Sequence, residues 1–263
     1  MVALGGLKLE TPVMNAAGTL SYENLEDVKD VYGAVVTKTV TWEPREGNPS
    51  PALSTTEHGF LNWVGLKNPG FEVFAEEVLP EWDVGLPIIV SVWGGDWLGA
   101  ERMCEHLDKD ERVVAVELNL SCPNAECPTW PVTAALVCRE VLSKPLIVKL
   151  GWSPELSALA TRLSEYGVSA LTLINTIPAL SWDSRSSEPF LGGLSGPAIK
   201  PIALRAVYEV SRRVGIPVIG CGGIASGEDV AEFVRAGAAA VQIGSGSFIR
   251  EPRDILREWE ELA

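Results

Sequence analysis

The sequence predicts an α/β protein, a single (β/α)8 barrel of the TIM type spanning residues 1–263. Two observations carry that expectation. Eight short apolar runs punctuate the chain, at 12–18, 34–40, 87–94, 113–122, 145–151, 170–176, 217–224 and 239–246. They are almost continuously apolar rather than alternating, the pattern of parallel strands covered on both faces. Helical patterns fall between them, at 24–32, 72–82, 98–108, 133–142, 154–166, 197–214, 227–236 and 252–262. Eight alternations close a barrel, whereas a doubly wound sheet usually has fewer strands.

Further elements follow in chain order. Residues 4–10 suit a small hairpin closing the barrel bottom. The stretches 41–69 and 182–193 are long loops, the first rich in Pro and Gly. Loops of that length in a compact barrel usually serve function. Three helices carry start signals: Ser153-Pro154-Glu155, Ser195-Gly196-Pro197 and Ser226-Gly227-Glu228-Asp229. The first is an N-cap serine with a proline in the first helical turn and an early acid, and the other two open their helices.

Charged residues are 21% and hydrophobic ones 46% of the chain, which excludes a disordered protein. The formal net charge of −14 argues against nucleic acid or an anionic membrane as partner. An anionic ligand therefore needs local lysines or arginines. The five cysteines are Cys104, Cys122, Cys127, Cys138 and Cys221. An odd, scattered set predicts reduced thiols and a cytoplasmic protein. Only Cys122 and Cys127 are close, and with His58 and His106 as the only histidines no metal site is expected. The N-terminus shows no signal-peptide pattern.

The chemistry concentrates at strand ends. The run Glu117-Leu-Asn-Leu-Ser-Cys-Pro-Asn124 begins as a buried strand and finishes in amides and a thiol. Pro123 keeps Cys122 extended, so the thiol belongs on a loop at a strand's carboxyl end, the face where α/β barrels carry out chemistry. Cys122 is a candidate reactive thiol; Cys104, Cys138 and Cys221 read as packing residues. Glycines crowd the last two strand ends, in Gly220-Cys-Gly-Gly-Ile224 and Gly244-Ser-Gly-Ser247. They allow backbone N–H groups to approach a phosphate closely. Lys38 and Lys149 sit inside apolar strands, and a buried ammonium needs a partner. Taken alone, each could form an internal ion pair with a carboxylate such as Glu117; two of them near strand ends, with phosphate-binding turns across the barrel, point instead to an anionic cofactor. Asn62, Asn68, Asn119, Asn124 and Asn175 cluster at predicted loop or strand ends, and carboxamides suit an amide- or imide-rich ring.

These residues fall in motifs that resemble the class 1 dihydroorotate dehydrogenases along nearly the whole chain. The motifs are Met14-Asn-Ala-Ala-Gly-Thr19, Thr37-Lys-Thr39, Pro44-Arg-Glu-Gly-Asn-Pro49, Asn62-Trp-Val-Gly-Leu-Lys-Asn-Pro-Gly70, Glu117–Asn124 and Val148-Lys-Leu150. Ile174-Asn-Thr176, Gly192-Gly-Leu-Ser-Gly-Pro-Ala-Ile-Lys-Pro201, Gly220–Ile224 and Gln242-Ile-Gly-Ser245 complete the set. Class 1B is the most similar. The resemblance implies oxidation of dihydroorotate to orotate in pyrimidine synthesis. It also implies bound FMN, a homodimer, and a partner subunit carrying FAD and an iron–sulfur cluster that passes electrons to NAD. It implies Cys122 as the base. Lys38, Asn62, Gly65, Leu66, Asn119, Asn124, Asn175 and Thr176 would meet the substrate. Ala17, Gly18, Lys38, Thr39, Asn119, Lys149, Ile174, Gly196, Gly222, Gly223, Gly244 and Ser245 would meet the cofactor. The chain departs from the pattern after Asn124, where Ala-Glu-Cys-Pro-Thr-Trp-Pro131 is short, and after Thr176, where Ile-Pro-Ala-Leu180 replaces the usual Gly-Met. A dehydrogenase of another dihydropyrimidine, such as dihydrouracil, and a catalytically silent barrel subunit remain as alternatives.

Overall fold

The computed structural model describes residues 2–83, 85–121, 131–182 and 188–262. The chain opens with a hairpin, β1 (Val2–Leu4) and β2 (Leu7–Leu9). Gly5 and Gly6, both at positive φ, form its turn, as two-residue hairpins require. Then come β3 (Val13–Asn15), β4 (Val35–Val36), and a second hairpin, β5 (Leu53–Thr56) and β6 (Gly59–Asn62). A helical run follows: α1 (Phe71–Val73), a π-turn (Phe74–Val78) and a 3-10 turn (Leu79–Trp82). The order continues with β7 (Ile88–Trp93), α2 (Trp97–Asp108), β8 (Val113–Asn119), α3 (Pro131–Val141), β9 (Leu146–Leu150) and α4 (Leu156–Glu165). It ends with β10 (Ala170–Leu173), β11 (Ile177–Trp182), β12 (Pro189–Ser195), α5 (Lys200–Ser211), β13 (Val218–Cys221), α6 (Gly227–Ala236), β14 (Ala240–Ile243) and α7 (Pro252–Leu262).

Eight parallel strands run in the order β3-β14-β13-β10-β9-β8-β7-β4, and a parallel bridge from Met14 to Ala34 closes the ring. The expected barrel is the observed one. Alternation sorts each strand's residues into two sets. Outward residues such as Val116, Leu118, Val148 and Val241 join the core shared with the helices. Inward residues Met14, Val36, Ile89, Ala115, Ile147, Ala170, Ile219 and Ala240 fill the lower barrel, where Leu4 and Leu9 of the hairpin plug the floor. The layer above is polar: Glu117, Lys149, Thr172 and Gln242 are all buried.

Several expectations change. The stretch 24–32 is no α-helix; it holds a 3-10 turn at Tyr22–Asn24 and then turns. Arg253 donates to the Asp27 carbonyl and pairs with Asp30. That carbonyl is the one a helix would offer to Val31, whose N–H turns to Val28 instead. Ser153 does not cap its helix, which begins later, at Leu156. Pro197–Ile199 is a 3-10 turn ahead of α5, whereas Ser226 caps α6 as expected, accepting from the Asp229 N–H at 3.1 Å. The two long loops are not structureless. β5 and β6 of the first and β12 of the second join β11, just ahead of the second, in a four-stranded antiparallel sheet of order β11-β12-β6-β5. Gly193 pairs with Asn62, and Leu194 with Leu61. Pro178 is tolerated because β11 is an edge strand.

Candidate functional site

A cavity of about 360 Å³ lies where the carboxyl ends of the barrel strands meet this second sheet. That volume falls in the usual range of small-molecule and cofactor pockets. Its walls come from every quarter of the barrel.

The floor is the polar layer. Lys149 on β9 is 4% exposed, and Glu117 on β8 is 0% exposed. Gln242 on β14 joins them: its carbonyl oxygen accepts from Lys149 Nζ at 3.0 Å, and its Nε2 donates to Glu117 Oε2 at 2.6 Å. Thr172 Oγ1 donates to the same carboxylate oxygen at 3.0 Å. Lys149 Nζ is 4.0 Å from Glu117 Oε1. Burial opposes the Lys149 charge, yet Cys221 and Glu117 outweigh it and raise the ammonium above an ordinary lysine. Burial holds the Cys221 thiol up and so neutral, against the pull of Lys149. Glu117 is therefore the counter-charge that matters at neutral pH. Both readings of Lys149 hold together: it pairs inside the barrel and it lines the cavity. The one hydrogen bond to Gln242 leaves donor capacity, since an ammonium has more N–H groups than that.

Amides form one side. Asn119 donates to Thr39 Oγ1 at 3.2 Å, and its oxygen accepts from the Ser121 N–H and hydroxyl, each at 3.1 Å. Asn175 donates to Ser121 Oγ at 3.1 Å. Asn62 donates to the Gly193 carbonyl at 3.2 Å. These three amides line the cavity. Asn68 does not. It latches its own loop, donating to Thr41 Oγ1 and the Leu66 carbonyl and accepting from the Gly70 N–H.

The opposite end is glycine. Gly222 and Gly223 follow β13 at positive φ, and Gly244 and Ser245 follow β14. All four line the cavity, with Gly196 beside them. Side-chain-free backbone at adjacent strand ends suits an anion such as a phosphate. Ala17 and Gly18 come from the end of β3, Lys38 and Thr39 from the segment after β4, and Ile174 and Thr176 from the segment after β10. Gly65 and Leu66, both at positive φ, belong to the loop after β6. Against expectation Lys38 is not a buried strand residue: it follows β4 and stands exposed at the mouth, where partial desolvation and then the Lys67 charge lower its affinity for a proton. The arrangement offers an anion site, an ammonium and amides facing a flat acceptor-rich ring, and a second ammonium for another anion.

Apart from Asn68, the expected site residues among the described ones thus border one cavity. Cys122 and Asn124 lie outside the described residues, as does Cys127. Cys221, expected only to pack, also lines the cavity, as do Ser195, expected only at a helix start, and Phe60 and Phe248, which the motifs did not mark. Phe60 and Phe248 meet edge to face, with centroids 5.9 Å apart. Only the closeness of Phe248 to the Gly244-Ser-Gly-Ser247 turn could have signalled its position.

Among the described residues, no helix is long and apolar enough to cross a membrane. The family model described as dihydroorotate dehydrogenase matches residues 1–262. The dihydroorotate dehydrogenase B (NAD(+)), catalytic subunit, of Pelobacter propionicus is 43% identical over 267 aligned positions, covering 94% of this chain and 87% of that protein. The protein of the same description from Geobacter metallireducens is 40% identical over 271 positions, with the same coverages. The crystal structure of an Eimeria tenella dihydroorotate dehydrogenase in complex with ferulenol matches with a TM-score of 0.79, over 99% of this chain and 83% of that one. At 22% identity that match is a likeness of fold. With a barrel of this form, a cavity at its strand ends and these relatives over its length, the chain belongs to the dihydroorotate dehydrogenase family.

Proposed function

We propose that this chain is the FMN-containing catalytic subunit that oxidises (S)-dihydroorotate to orotate in pyrimidine synthesis. The observation that carries this reading is the convergence of the amides, the lysines and the glycine turns on one cavity. The donor set fits FMN: backbone donors for its phosphate at Gly222, Gly223, Gly244 and Ser245, and a buried ammonium with donor capacity to spare at Lys149. Ala17, Gly18, Thr39, Asn119, Ile174 and Gly196 border the rest of the ring system. Bound FMN supplies the acceptor for the hydride that leaves carbon 6 of the substrate.

The chain's own residues do the remaining work. Lys38, at the mouth, pairs with the substrate carboxylate. Asn62, Asn119, Asn124 and Asn175 hold the ring's amide edges, with Gly65, Leu66 and Thr176 packed beside it. The Cys122 thiolate removes the proton from carbon 5, and the electron pair of that C–H bond becomes the new carbon–carbon double bond. Lys38 favours a carboxylate-bearing dihydropyrimidine over dihydrouracil. Electrons leave through a partner subunit holding FAD and an iron–sulfur cluster, docked on a homodimer of this chain. The relatives' description as catalytic subunits supports a partner. The test is the visible spectrum: the purified chain should be yellow and should bleach on anaerobic addition of dihydroorotate. A colourless protein, or a flavin band indifferent to dihydroorotate, overturns the reading.

A further inference from the structure

We propose that Glu117 is a positioning residue for the flavin: from one layer below the cavity it keeps Lys149 an ammonium, and through it sets the flavin's reduction potential. The inference rests on the FMN reading above. Glu117 does not line the cavity, and it reaches the site only through Lys149 and Gln242. Its Oε2 is satisfied by Gln242 and Thr172. Its Oε1 is buried with no hydrogen-bond partner among the described residues and lies 4.0 Å from Lys149 Nζ. A carboxylate oxygen left bare in a closed barrel is costly unless its charge has a use. The nearby ammonium gives it one.

The groups facing Lys149 make the assignment specific. β8 contributes the Glu117 carboxylate, and β13 contributes Cys221, held neutral by burial. β14 and β10 contribute the neutral Gln242 and Thr172. Lys38, across the same cavity, adds like charge. Glu117 is therefore the only anionic side chain in that set at neutral pH. Gln242 fixes the geometry, since its two ends bind opposite charges and its amide cannot flip without losing both bonds. Lys149 borders the cavity while Glu117 does not, so the pair presents net positive potential to a ring seated there. Positive potential favours the extra electrons of a reduced flavin.

The experiment measures the midpoint potential of the bound flavin against pH, by dithionite titration with a reference dye, in the holoprotein and in Glu117→Gln. The wild-type ammonium stays charged across the accessible range and adds no proton to the couple. In Glu117→Gln the carboxylate is gone and only Cys221, a thiol held neutral by burial, is left against the desolvation of Lys149, so its charge weakens as pH rises, while added electrons on the ring restore it. Lys149 then takes up one additional proton per two electrons. The variant should start above wild type at the acid end and fall more steeply with pH, by about 30 mV per unit for one proton in a two-electron couple. Flavin content should be retained. Wild-type level and slope in Glu117→Gln overturn the inference. Should that variant fail to fold, Glu117→Gln/Lys149→Gln exchanges the pair for neutral amides of similar size. Its slope should match wild type and its potential should lie below it; an unchanged potential overturns the inference. Failure of the FMN reading is distinguishable, because the wild-type protein itself would then be colourless.

Discussion

Gly223 and the first residue of α5, Lys200, are in contact so close that a Cβ on Gly223 would fall 2.7 Å from the Lys200 backbone nitrogen. The turn after β13 is thus pressed against the start of α5, and its φ of +79° is one that side chains resist. Gly223→Ala should be strained by about 1–2 kcal/mol from the backbone alone, and the overlap pushes the turn out of place. FMN affinity should fall by roughly 5–30-fold or more, read by quenching of flavin fluorescence, with far-UV circular dichroism unchanged. Full affinity in that variant would remove the turn from the phosphate site.

Cys122→Ala should slow anaerobic flavin reduction by roughly 10²–10⁴-fold, the usual contribution of a general base, with flavin content intact. Cys122→Ser should keep a small activity that climbs with pH, because a hydroxyl is the weaker acid. Stopped-flow bleaching at neutral pH decides it: a wild-type rate in Cys122→Ala assigns the base elsewhere.

Lys38 releases its proton at lower pH than an ordinary lysine, through partial desolvation and then through the charge of Lys67. Only the ammonium pairs with a carboxylate, so kcat/KM for dihydroorotate should fall on an alkaline limb that sets in below the usual lysine range. Removing the positive neighbour raises the Lys38 value, so Lys67→Gln should move the limb to higher pH. Lys38→Met should lose about 10–150-fold in kcat/KM, the size of a hydrogen bond to a charged group, and should flatten the limb. A limb unmoved by Lys67→Gln would detach it from Lys38.

The purified chain should turn over dihydroorotate with artificial acceptors but not with NAD. No Gly-x-Gly-x-x-Gly turn follows its first strand. Steady NADH formation by the single chain, followed by its absorbance, would remove the need for an electron-transfer subunit.

The barrel was legible because its strands are buried on both faces and leave long apolar runs, and because glycines and amides at their ends have no packing use. The turns that replace the helix expected at 24–32 were not, because the partner of the Asp27 carbonyl and of Asp30 is Arg253, more than 220 residues away in sequence. The second sheet was hidden for a similar reason. Its central pairing, β6 with β12, joins Asn62 to Gly193, and Gly192, Gly193 and Pro178 blur the alternation that marks a strand. Glu117 was legible as a possible partner of Lys149. The role of Gln242 as the bridge between them was not, since it depends on three strands meeting at one height inside the barrel.

The pairing of β6 with β12 also has a meaning during synthesis. The cavity's roof has one half emerging from the ribosome early, by Asn62, while its mate arrives only with Ser195, and the ring itself closes later still, when β14 reaches β3. Such distant pairings make closure slow and leave the early hairpin unpaired in the meantime. A nascent or prematurely terminated chain therefore has no finished pocket, and a flavin can be captured only by a polypeptide translated nearly to its end.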